Sequence, residues 1–569
     1  MLGANLLLPR SLPLRGDHRE GIIVVIDNTT DVSYHTSSKA QRTRSSQSIG
    51  GFLRITCIHS VLTSVPSYSP SCSPLIIAME GQANVLDPSL MPLIVCATFF
   101  FGLYVYFRRQ GKAPLLPGPF SLPVIGNLFH YPPEYPWYKF TEWKCQFGDM
   151  FRLHGLGNEI VVLNSLDSIN DLLVKQGHLY AHRPVFTLAT ELMGSSRSMA
   201  MMSNTKTWQL HRKLAHTAFS QESVKKYMPI QENIATLMSL AFLADPEHFI
   251  DHVRLATGRI IMSVTILKWD AQYIDQAEAT QVVFTEVARP GASIIDIIPF
   301  CESPSRGIFY YEPLNYDSVK YLPESTPFFT FHAQAKMGRA MIHEMTSEKS
   351  PPPSFVSDLL SWSEDLYPDR KTFEEAVTWV AGAMYGGGVD TTYSVVLNAI
   401  LAMMQYPEVQ RTAQAELDRI IGDRLPTIAD RESTPYLNAL IKEAMRWYPP
   451  VPLGLAHRSA EDVIYKGFLI PKDAIVVPNV WAVSRVCAPE FPPERFIPER
   501  FLQPNYDEID PNSYIFGFGR RVCPGRYLAG NSTYILIATV VHLFDFKPPR
   551  DTAGKELSID PTWKASLTR

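Results

Sequence analysis

Short apolar runs and longer helical patterns divide most of the chain. Residues 150–153 and 159–163 are short apolar runs separated by Gly155 and Gly157, which indicates a β-hairpin. Residues 461–471 show a second hairpin-like pattern. Residues 230–243 and 253–267 have mixed helical periodicity, and residues 371–404 form a long apolar run. Helical segments therefore outnumber the strand-like ones.

An uncharged apolar stretch lies near the start of the chain. Residues 90–107 carry no charged side chain, and Arg108, Arg109 and Lys112 follow immediately. The length is near the minimum for a transmembrane helix, and the basic flank predicts that the following residues face the cytosol. A buried core helix is the alternative, because Pro92 interrupts a span of marginal length. We assign residues 79–112 to a membrane anchor.

The segments on either side of this anchor differ from it. Residues 113–127 are rich in proline, which fixes φ and cannot continue a helix, so we assign them to a hinge. Residues 1–78 are rich in Ser and Thr and have no sustained period, which is typical of disorder. Because Met79 stands just ahead of the apolar stretch, residues 1–78 are alternatively a gene-model extension.

Composition excludes several classes of protein. With 569 residues, 46% of them hydrophobic, the chain can bury a large core. A net charge of −4 gives no basic balance of the kind that binds nucleic acid. The seven cysteines include no C-x-x-C pair, so they form neither a disulfide framework nor a zinc pattern.

One cysteine stands in a glycine-rich turn, at residues 516–525. Gly519 and Gly525 permit backbone conformations and close approaches that a side chain would obstruct. Pro524 suits the first turn of a helix, so Cys523 is predicted to lie just before a helix N-terminus, where thiolate is favoured. With Arg521 nearby to meet an anionic group, the turn suits an axial haem ligand. The alternative is a structural cysteine.

Consecutive glycines interrupt the long apolar run. Gly386, Gly387 and Gly388 each cost a helix about 1 kcal/mol relative to alanine, so another requirement should justify them. A flat ligand pressed against the backbone would do so. Asp390 and Thr391 follow, and the threonine hydroxyl can compete for helix carbonyls and open the helix locally to water. The alternative is a helix C-cap at these two residues.

Two pairs of residues have helical spacing. Trp208 and Arg212 are four residues apart, and Glu443 and Arg446 are three apart, so each pair shares a helix face. Alone, each pair is a weak signal. Trp208 and Arg212 are alternatively a surface arginine stacked on a core tryptophan, and Glu443 and Arg446 are alternatively an exposed ion pair, which contributes little to stability.

Taken in order, these motifs resemble the cytochrome P450 family. Residues 516–525 match the pattern Phe-x-x-Gly-x-Arg-x-Cys-x-Gly at every fixed position, and residues 387–391 resemble the family's (Ala/Gly)-Gly-x-(Asp/Glu)-Thr motif. The chain is similar to microsomal class II members, and in particular to fungal monooxygenases of the O-methylsterigmatocystin oxidoreductase type. The resemblance implies a cytochrome P450 fold, mainly α with a small β-rich region, at residues 128–569, preceded by an N-terminal transmembrane helix.

The resemblance also implies a role for each motif. Asp390 and Thr391 would relay protons to iron-bound oxygen. Glu443, Arg446 and Arg500 would form a buried network beneath the haem loop, where loss of one member costs several kcal/mol. Cys523 would be the axial ligand of the haem b iron. The implied cofactor-binding residues are Trp208, Arg212, His457, Phe516, Arg521, Cys523 and Gly525, although His457 is alternatively an ordinary exposed histidine.

The implied reaction inserts one oxygen atom of O2 into a hydrophobic small molecule, in fungal secondary or xenobiotic metabolism. Electrons would come from NADPH through NADPH–cytochrome P450 reductase, with cytochrome b5 as a further partner. That reductase is acidic in the family, so a basic patch at Lys213, Arg520 and Arg526 is expected to dock it. The expected location is the endoplasmic reticulum membrane, with the catalytic domain in the cytosol.

Three departures from the family pattern concern the substrate side. Residues 301–318 look like an insertion, the helical segment before Pro351 is short, and the chain stops at Arg569 in what resembles a substrate-lining turn. Two alternatives therefore stay open: a haem-binding but catalytically impaired relative, and a non-enzymatic membrane-anchored interaction protein.

Overall fold

The computed structural model describes residues 7–9, 96, 113–122, 125–132, 134–155, 158–192, 194–266, 354–361, 369–486, 490–503, 510–551 and 553–559. Most of the segment 1–78 and of the anchor, the suspected insertion, the segment before Pro351 and the end of the chain at Arg569 lie outside these ranges. None of the helices within them is both long enough and apolar enough to span a bilayer. Residues 29–112 are one unit and the remainder is another, which is described below.

Helices make up most of the described chain. The α-helices are α1 (Pro136–Phe147), α2 (Leu166–Ile169), α3 (Lys206–Phe219), α4 (Met228–Ala244), α5 (Phe249–Ile266), α6 (Phe355–Ser361), α7 (Arg370–Gln405), α8 (Pro407–Ile421), α9 (Pro435–Trp447), α10 (Val480–Val483) and α11 (Arg526–Leu543). Short 3-10 helices occur at Leu128–His130, Ser195–Arg197, Ser223–Tyr227, Pro246–His248, Ile428–Ser433, Pro498–Leu502, Pro511–Ser513 and Gly519–Arg521, and π-helices at Asn170–Lys175 and Thr187–Leu192.

The β-structure is small. Its strands are β1 (Leu7–Pro9), β2 (Met150–Gly155), β3 (Asn158–Leu163), β4 (His457–Arg458), β5 (Val463–Tyr465), β6 (Phe468–Ile470), β7 (Ile475–Pro478) and β8 (Phe544–Phe546). One sheet has the order β2-β3-β7-β4, in which β3 and β7 are parallel and the other pairs antiparallel. β5 pairs with β6, and β1 with β8.

The predicted elements agree with the observed ones. The runs 150–153 and 159–163 lie in β2 and β3, which pair with Phe151 opposite Val162. The long apolar run lies in α7, and residues 461–471 contain the β5–β6 hairpin. The mainly α architecture with a small β-rich region is therefore confirmed.

Helix α7 lies at the centre of the main hydrophobic core. Val377, Val380 and Val396 are fully buried, and the helix contacts α3, α5, α9 and α11. A helix that is apolar on every side is stable in water only when other elements surround it. Helices α3, α7 and α11 also contact one another, which brings together the three elements that carry or follow most of the predicted site residues.

Candidate active site

The Cys523 loop is a tight turn. The Cys523 amide donates to the Phe516 carbonyl over 2.6 Å, and Gly519 has a φ of +53°. A Cβ at Gly519 would lie 2.1 Å from the carbonyl oxygen of Leu173, so this position requires glycine for both its conformation and its packing. Gly525 differs, because its φ of −83° is ordinary and a Cβ there would meet only the Cys523 sulfur, at 3.9 Å.

Helix α11 follows the loop. It begins at Arg526, and Gly525 is its N-cap residue. The prediction that Pro524 lies in the first helical turn was therefore wrong, since this proline precedes the N-cap. Cys523 still lies just before the helix N-terminus, as the sequence predicted.

The charge state of the thiol differs from the prediction. Burial raises the pKa of Cys523, and this effect outweighs the hydrogen bond from the Gly525 amide and the positive charges of Arg212 and Arg526, which lower it. The expectation of a lowered pKa was wrong for the protein alone, because the sequence shows the helix start but not the depth of burial.

Trp208 lies close to two arginine side chains. The Arg521 guanidinium is 4.0 Å and the Arg212 guanidinium 5.8 Å from the Trp208 ring centroid. The structure thus brings these three predicted residues together. The indole N–H donates to the Met199 carbonyl over 3.1 Å, so Trp208 uses its only donor within the protein.

Arg521 is anchored by backbone oxygens. Its guanidinium donates to the carbonyls of Ala181 at 2.7 Å and Met202 at 2.6 Å. Burial, followed by the positive charges of Arg183 and Arg212, lowers the pKa of Arg521. Arg521 thus holds residues 181–202 against the cysteine loop.

Arg183 is a site residue that the motifs did not indicate. It is almost fully buried and donates to the carbonyls of Ala200 at 2.9 Å and of Leu455 and Ala456 at 2.7 Å. Burial and the charge of Arg212 lower its pKa to about 9. Nothing in the sequence of residues 180–184 distinguishes a buried arginine from an exposed one.

His457 is buried and belongs to the same cluster. Its Nδ1 lies 2.8 Å from the Tyr180 carbonyl, so this nitrogen carries the proton in the neutral ring. Burial, with the charges of Arg183 and Arg521, lowers the pKa of His457 to about 3. The alternative of an exposed histidine is therefore wrong.

The cluster fits a group with two carboxylates. Within the described ranges, Arg183, Arg212 and Arg521 form no ion pair with a carboxylate, although all three are buried or half-buried. Buried cations without a counter-charge are costly. Haem carries two propionates and an iron that a thiolate can ligate, so the donor set of these arginines and Cys523 suits it.

The Glu443 network is fully formed. Glu443 receives the Nε of Arg446 at 2.7 Å and the Nε of Arg500 at 2.9 Å, and the Ile497 amide at 2.8 Å. All three charged side chains are buried. Tyr514 lies two residues before Phe516, where the cysteine loop begins. It is close enough to Glu443 and Arg446 for their charges to affect its pKa. The network therefore adjoins the start of that loop.

Helix α7 continues without interruption through the glycines. Thr391 Oγ1 donates to the Gly387 carbonyl over 2.8 Å, but the helix runs on to Gln405, so neither the local opening nor the C-cap is observed. A Cβ at Gly388 would lie 2.5 Å from Ile261 Cδ1, whereas one at Gly387 would meet nothing within 4 Å. Packing against α5 thus explains Gly388, whereas Gly387 borders open space. Asp390 is half-buried beside them.

The comparisons with known proteins agree with this geometry. The cytochrome P450 family model matches residues 116–252 and 315–568. The chain belongs to the cytochrome P450 family. It is 32% identical over 499 residues to the cytochrome P450 monooxygenase claR of Ampulloclitocybe clavipes, covering 85% of this chain and 90% of that one. It is 33% identical over 496 residues to ple1 of Rhodocybe pseudopiperita, covering 84% and 91%.

The solved structures support the same fold. A zebrafish cytochrome P450 determined with progesterone superimposes with a TM-score of 0.60 at 23% identity, covering 73% of this chain and 93% of that one.

The family match and the fungal relatives show that this cytochrome P450 is a fungal monooxygenase, an oxidoreductase of a family that uses haem, O2, redox partners and hydrophobic substrates. Residues 253–314, between the two matched stretches, include most of the suspected insertion.

Proposed function

We propose that this protein is a haem-thiolate monooxygenase in which Cys523 is the iron ligand, and that it oxidises a hydrophobic small molecule in secondary or xenobiotic metabolism. The observation that carries the proposal is the buried cation cluster without a carboxylate partner in the described ranges, beside the Cys523 loop. When bound, the haem iron supplies activation of O2, which a thiolate ligand assists by donating electron density.

Each part of the site then has a defined task. Arg212 and Arg521 neutralise the propionates, and the Trp208 ring lies close to both guanidinium groups. Gly387 leaves room beside the helix backbone. The Thr391 hydroxyl donates its hydrogen bond to the Gly387 carbonyl, and its oxygen remains able to accept a hydrogen bond from water. With Asp390 one residue away, this pair moves protons towards the reacting oxygen.

The reaction is tested by isotope incorporation. The full chain is incubated with NADPH, cytochrome P450 reductase, a panel of apolar substrates and 18O2. The expected product carries one 18O atom, and Thr391→Ala should retain the haem while NADPH consumption exceeds product. An 18O-free product, or normal coupling in Thr391→Ala, would contradict the assigned chemistry.

Haem binding alone tests whether the arginine cluster neutralises the haem propionates. Arg183→Met should weaken binding of haem much more than binding of haem dimethyl ester, because the ester lacks the propionate charges that the cluster neutralises. Equal weakening for both would mean that Arg183 acts only through the backbone carbonyls that it holds.

We further propose that NADPH–cytochrome P450 reductase, with cytochrome b5 as a second donor, docks on exposed Lys213, Arg520 and Arg526. Lys213→Glu with Arg520→Glu should raise the KM for the reductase and weaken its salt dependence, while the haem spectrum stays unchanged. An unchanged KM would exclude this patch.

The proposed location is the endoplasmic reticulum membrane, with residues 79–112 as a single-pass anchor and the domain in the cytosol. Cell fractionation should recover the chain with microsomes in a form that alkaline carbonate does not extract. N-terminal mass spectrometry should find no peptide before Met79. Detection of such a peptide would refute the hypothesis that residues 1–78 are a gene-model extension.

A further inference from the structure

Two arginines join the two ends of one loop beside the cysteine turn. Arg183, at the start of the loop, donates through Nε to the carbonyl of Ala200, near its end, over 2.9 Å. Arg521 donates to the carbonyl of Ala181 at 2.7 Å and to that of Met202 at 2.6 Å. One guanidinium therefore binds both ends of the loop, and the other ties one end to the other.

We call residues 184–198 the strap, and residues 181–183 and 199–202 its base. The strap contains the π-helix Thr187–Leu192. Phe186 of the strap packs in a cluster of only three buried apolar residues, with Ala189 and Met201. Because this cluster is small, the hydrogen bonds at the base supply a large share of the attachment of the strap.

Arg183 also ties the base to the sheet. Its Nη1 donates to the carbonyls of Leu455 and Ala456, each over 2.7 Å, directly before His457 of β4. These bonds come from a charged donor, which makes them stronger than bonds between neutral groups. Within the described ranges, Nη2 of Arg183 donates to no atom. Arg183 can therefore give Nη2 to a carboxylate without breaking a bond at the base.

Positive charge is concentrated at the base. Arg183, Arg212 and Arg521 are close enough for their charges to act on one another, and they form no ion pair with a carboxylate of the described ranges. Repulsion between cations that water reaches poorly opposes closure of the base. The two propionates of haem would remove this repulsion, so a bound haem favours the closed strap.

We infer that Arg183 is a positioning residue that closes the strap once the propionates neutralise the base, so that strap closure and haem retention are linked. The inference rests on the proposed haem site. Linkage is reciprocal: the factor by which haem favours the closed strap is also the factor by which the closed strap favours bound haem.

Charge and hydrogen bonding make separate contributions at this residue. The charge of Arg183 attracts a propionate, whereas the planar fork of its guanidinium holds three carbonyls. Lysine keeps the charge and has no such fork. Arg183→Lys should therefore open the strap while preserving the preference of the site for haem over haem dimethyl ester.

Limited digestion with trypsin reports whether the strap is open. Arg197 is exposed within the strap, but Ser198, on the other side of the scissile bond, is buried. Trypsin therefore cuts after Arg197 only when the strap opens. Arg424 and Leu425, in the loop after α8, are both exposed, so cleavage between them serves as the internal control.

The experiment uses the full-length holoprotein in detergent. Mass spectrometry gives the initial cleavage rate after Arg197 and after Arg424. In parallel, transfer of haem to excess apomyoglobin, followed in the Soret region, gives the rate of haem loss. The variants are Arg183→Lys and, as the matched control, Arg458→Lys, which changes a half-buried arginine of β4 that pairs with Asp473.

Arg183→Lys should accelerate cleavage after Arg197 and haem loss by the same factor, about 100-fold, because the fork of charged hydrogen bonds is lost. Cleavage after Arg424 should not change, and Arg458→Lys should behave as wild type. In the wild-type protein, cleavage after Arg197 and haem loss should rise in parallel as urea is added below the unfolding transition. This comparison needs no variant to fold.

The contrary results separate the inference from the proposed haem site. Unchanged cleavage after Arg197 in Arg183→Lys, or acceleration of only one of the two rates, would overturn the inference and leave the haem site standing. Equal acceleration after Arg197 and Arg424 would show general loosening of the fold, and different urea slopes in the wild type would show independent events; both overturn it. A wild-type chain that binds no haem would refute the proposed function itself.

Discussion

Replacing Glu443 by glutamine should be the most destabilising of the substitutions in the network. Glu443 is fully buried and holds the guanidinium groups of Arg446 and Arg500 at 2.7 and 2.9 Å. Glutamine keeps the shape and leaves two buried cations without a counter-charge. Breaking a buried ion pair in this way costs about 3–5 kcal/mol. Most of this cost is the uncompensated charge, so replacing all three residues by leucine should cost less than Glu443→Gln alone.

The assay is urea denaturation of the full chain in detergent, followed by tryptophan fluorescence and by loss of bound haem. Lys139 and Glu142 provide a matched control, because they also pair at a spacing of three residues, over 2.8 Å, but at 42% and 56% exposure. Glu142→Gln should cost at most about 1 kcal/mol. If Glu443→Gln cost no more than Glu142→Gln, the network would not be holding the region before the cysteine loop.

The remaining predictions concern α7 and acid stability. Gly388→Ala should lower the free energy of unfolding by about 1–2 kcal/mol, because its Cβ would lie 2.5 Å from Ile261 Cδ1. Gly387→Ala should raise the free energy of unfolding by up to about 1 kcal/mol, because its Cβ would meet nothing within 4 Å and alanine favours a helix over glycine. Equal effects of the two substitutions in urea denaturation would contradict this difference. A hydrogen bond from Arg424 lowers the pKa of Asp430 from 3.8 to about 2. Asp430 therefore adds stability above about pH 4 that is lost as the pH falls towards about 2, and Asp430→Asn should flatten the pH dependence of the urea midpoint between about pH 4 and about pH 2. An unchanged pH slope would contradict it.

Motif spacing was sufficient to predict the contacts of residues whose partners follow the family pattern. Glu443, Arg446 and Arg500 meet as expected because an acid and an arginine on one helical turn have few ways to satisfy their charges once buried. The positions of α7 and of the β2–β3 hairpin followed from periodicity, since a long apolar run and two short ones separated by glycine leave little choice.

The sequence could not reveal effects that depend on burial. The raised pKa of Cys523 and the place of Arg183 in the cation cluster both depend on how far water is excluded, which no motif encodes. The glycines of α7 also looked equivalent, yet Gly388 is required by Ile261 of another helix and Gly387 is not.

Prolines predicted a hinge because they exclude helix, and the structure adds that the Asn127 side chain donates to the Pro119 carbonyl and accepts from the His154 amide. The one feature of the sequence that pointed to Asn127 was a polar residue next to a glycine at the end of the proline-rich run. That feature is equally typical of any turn.

We expect Cys523 to ligate the haem iron as a thiolate, a claim that the spectrum of the reduced, CO-bound protein can test. The wild-type chain should show the Soret band of thiolate-ligated haem, and Cys523→Ala should lose it, whereas Cys145→Ala, which removes an exposed cysteine on α1, should keep it. A thiolate spectrum that persisted in Cys523→Ala would contradict the claim.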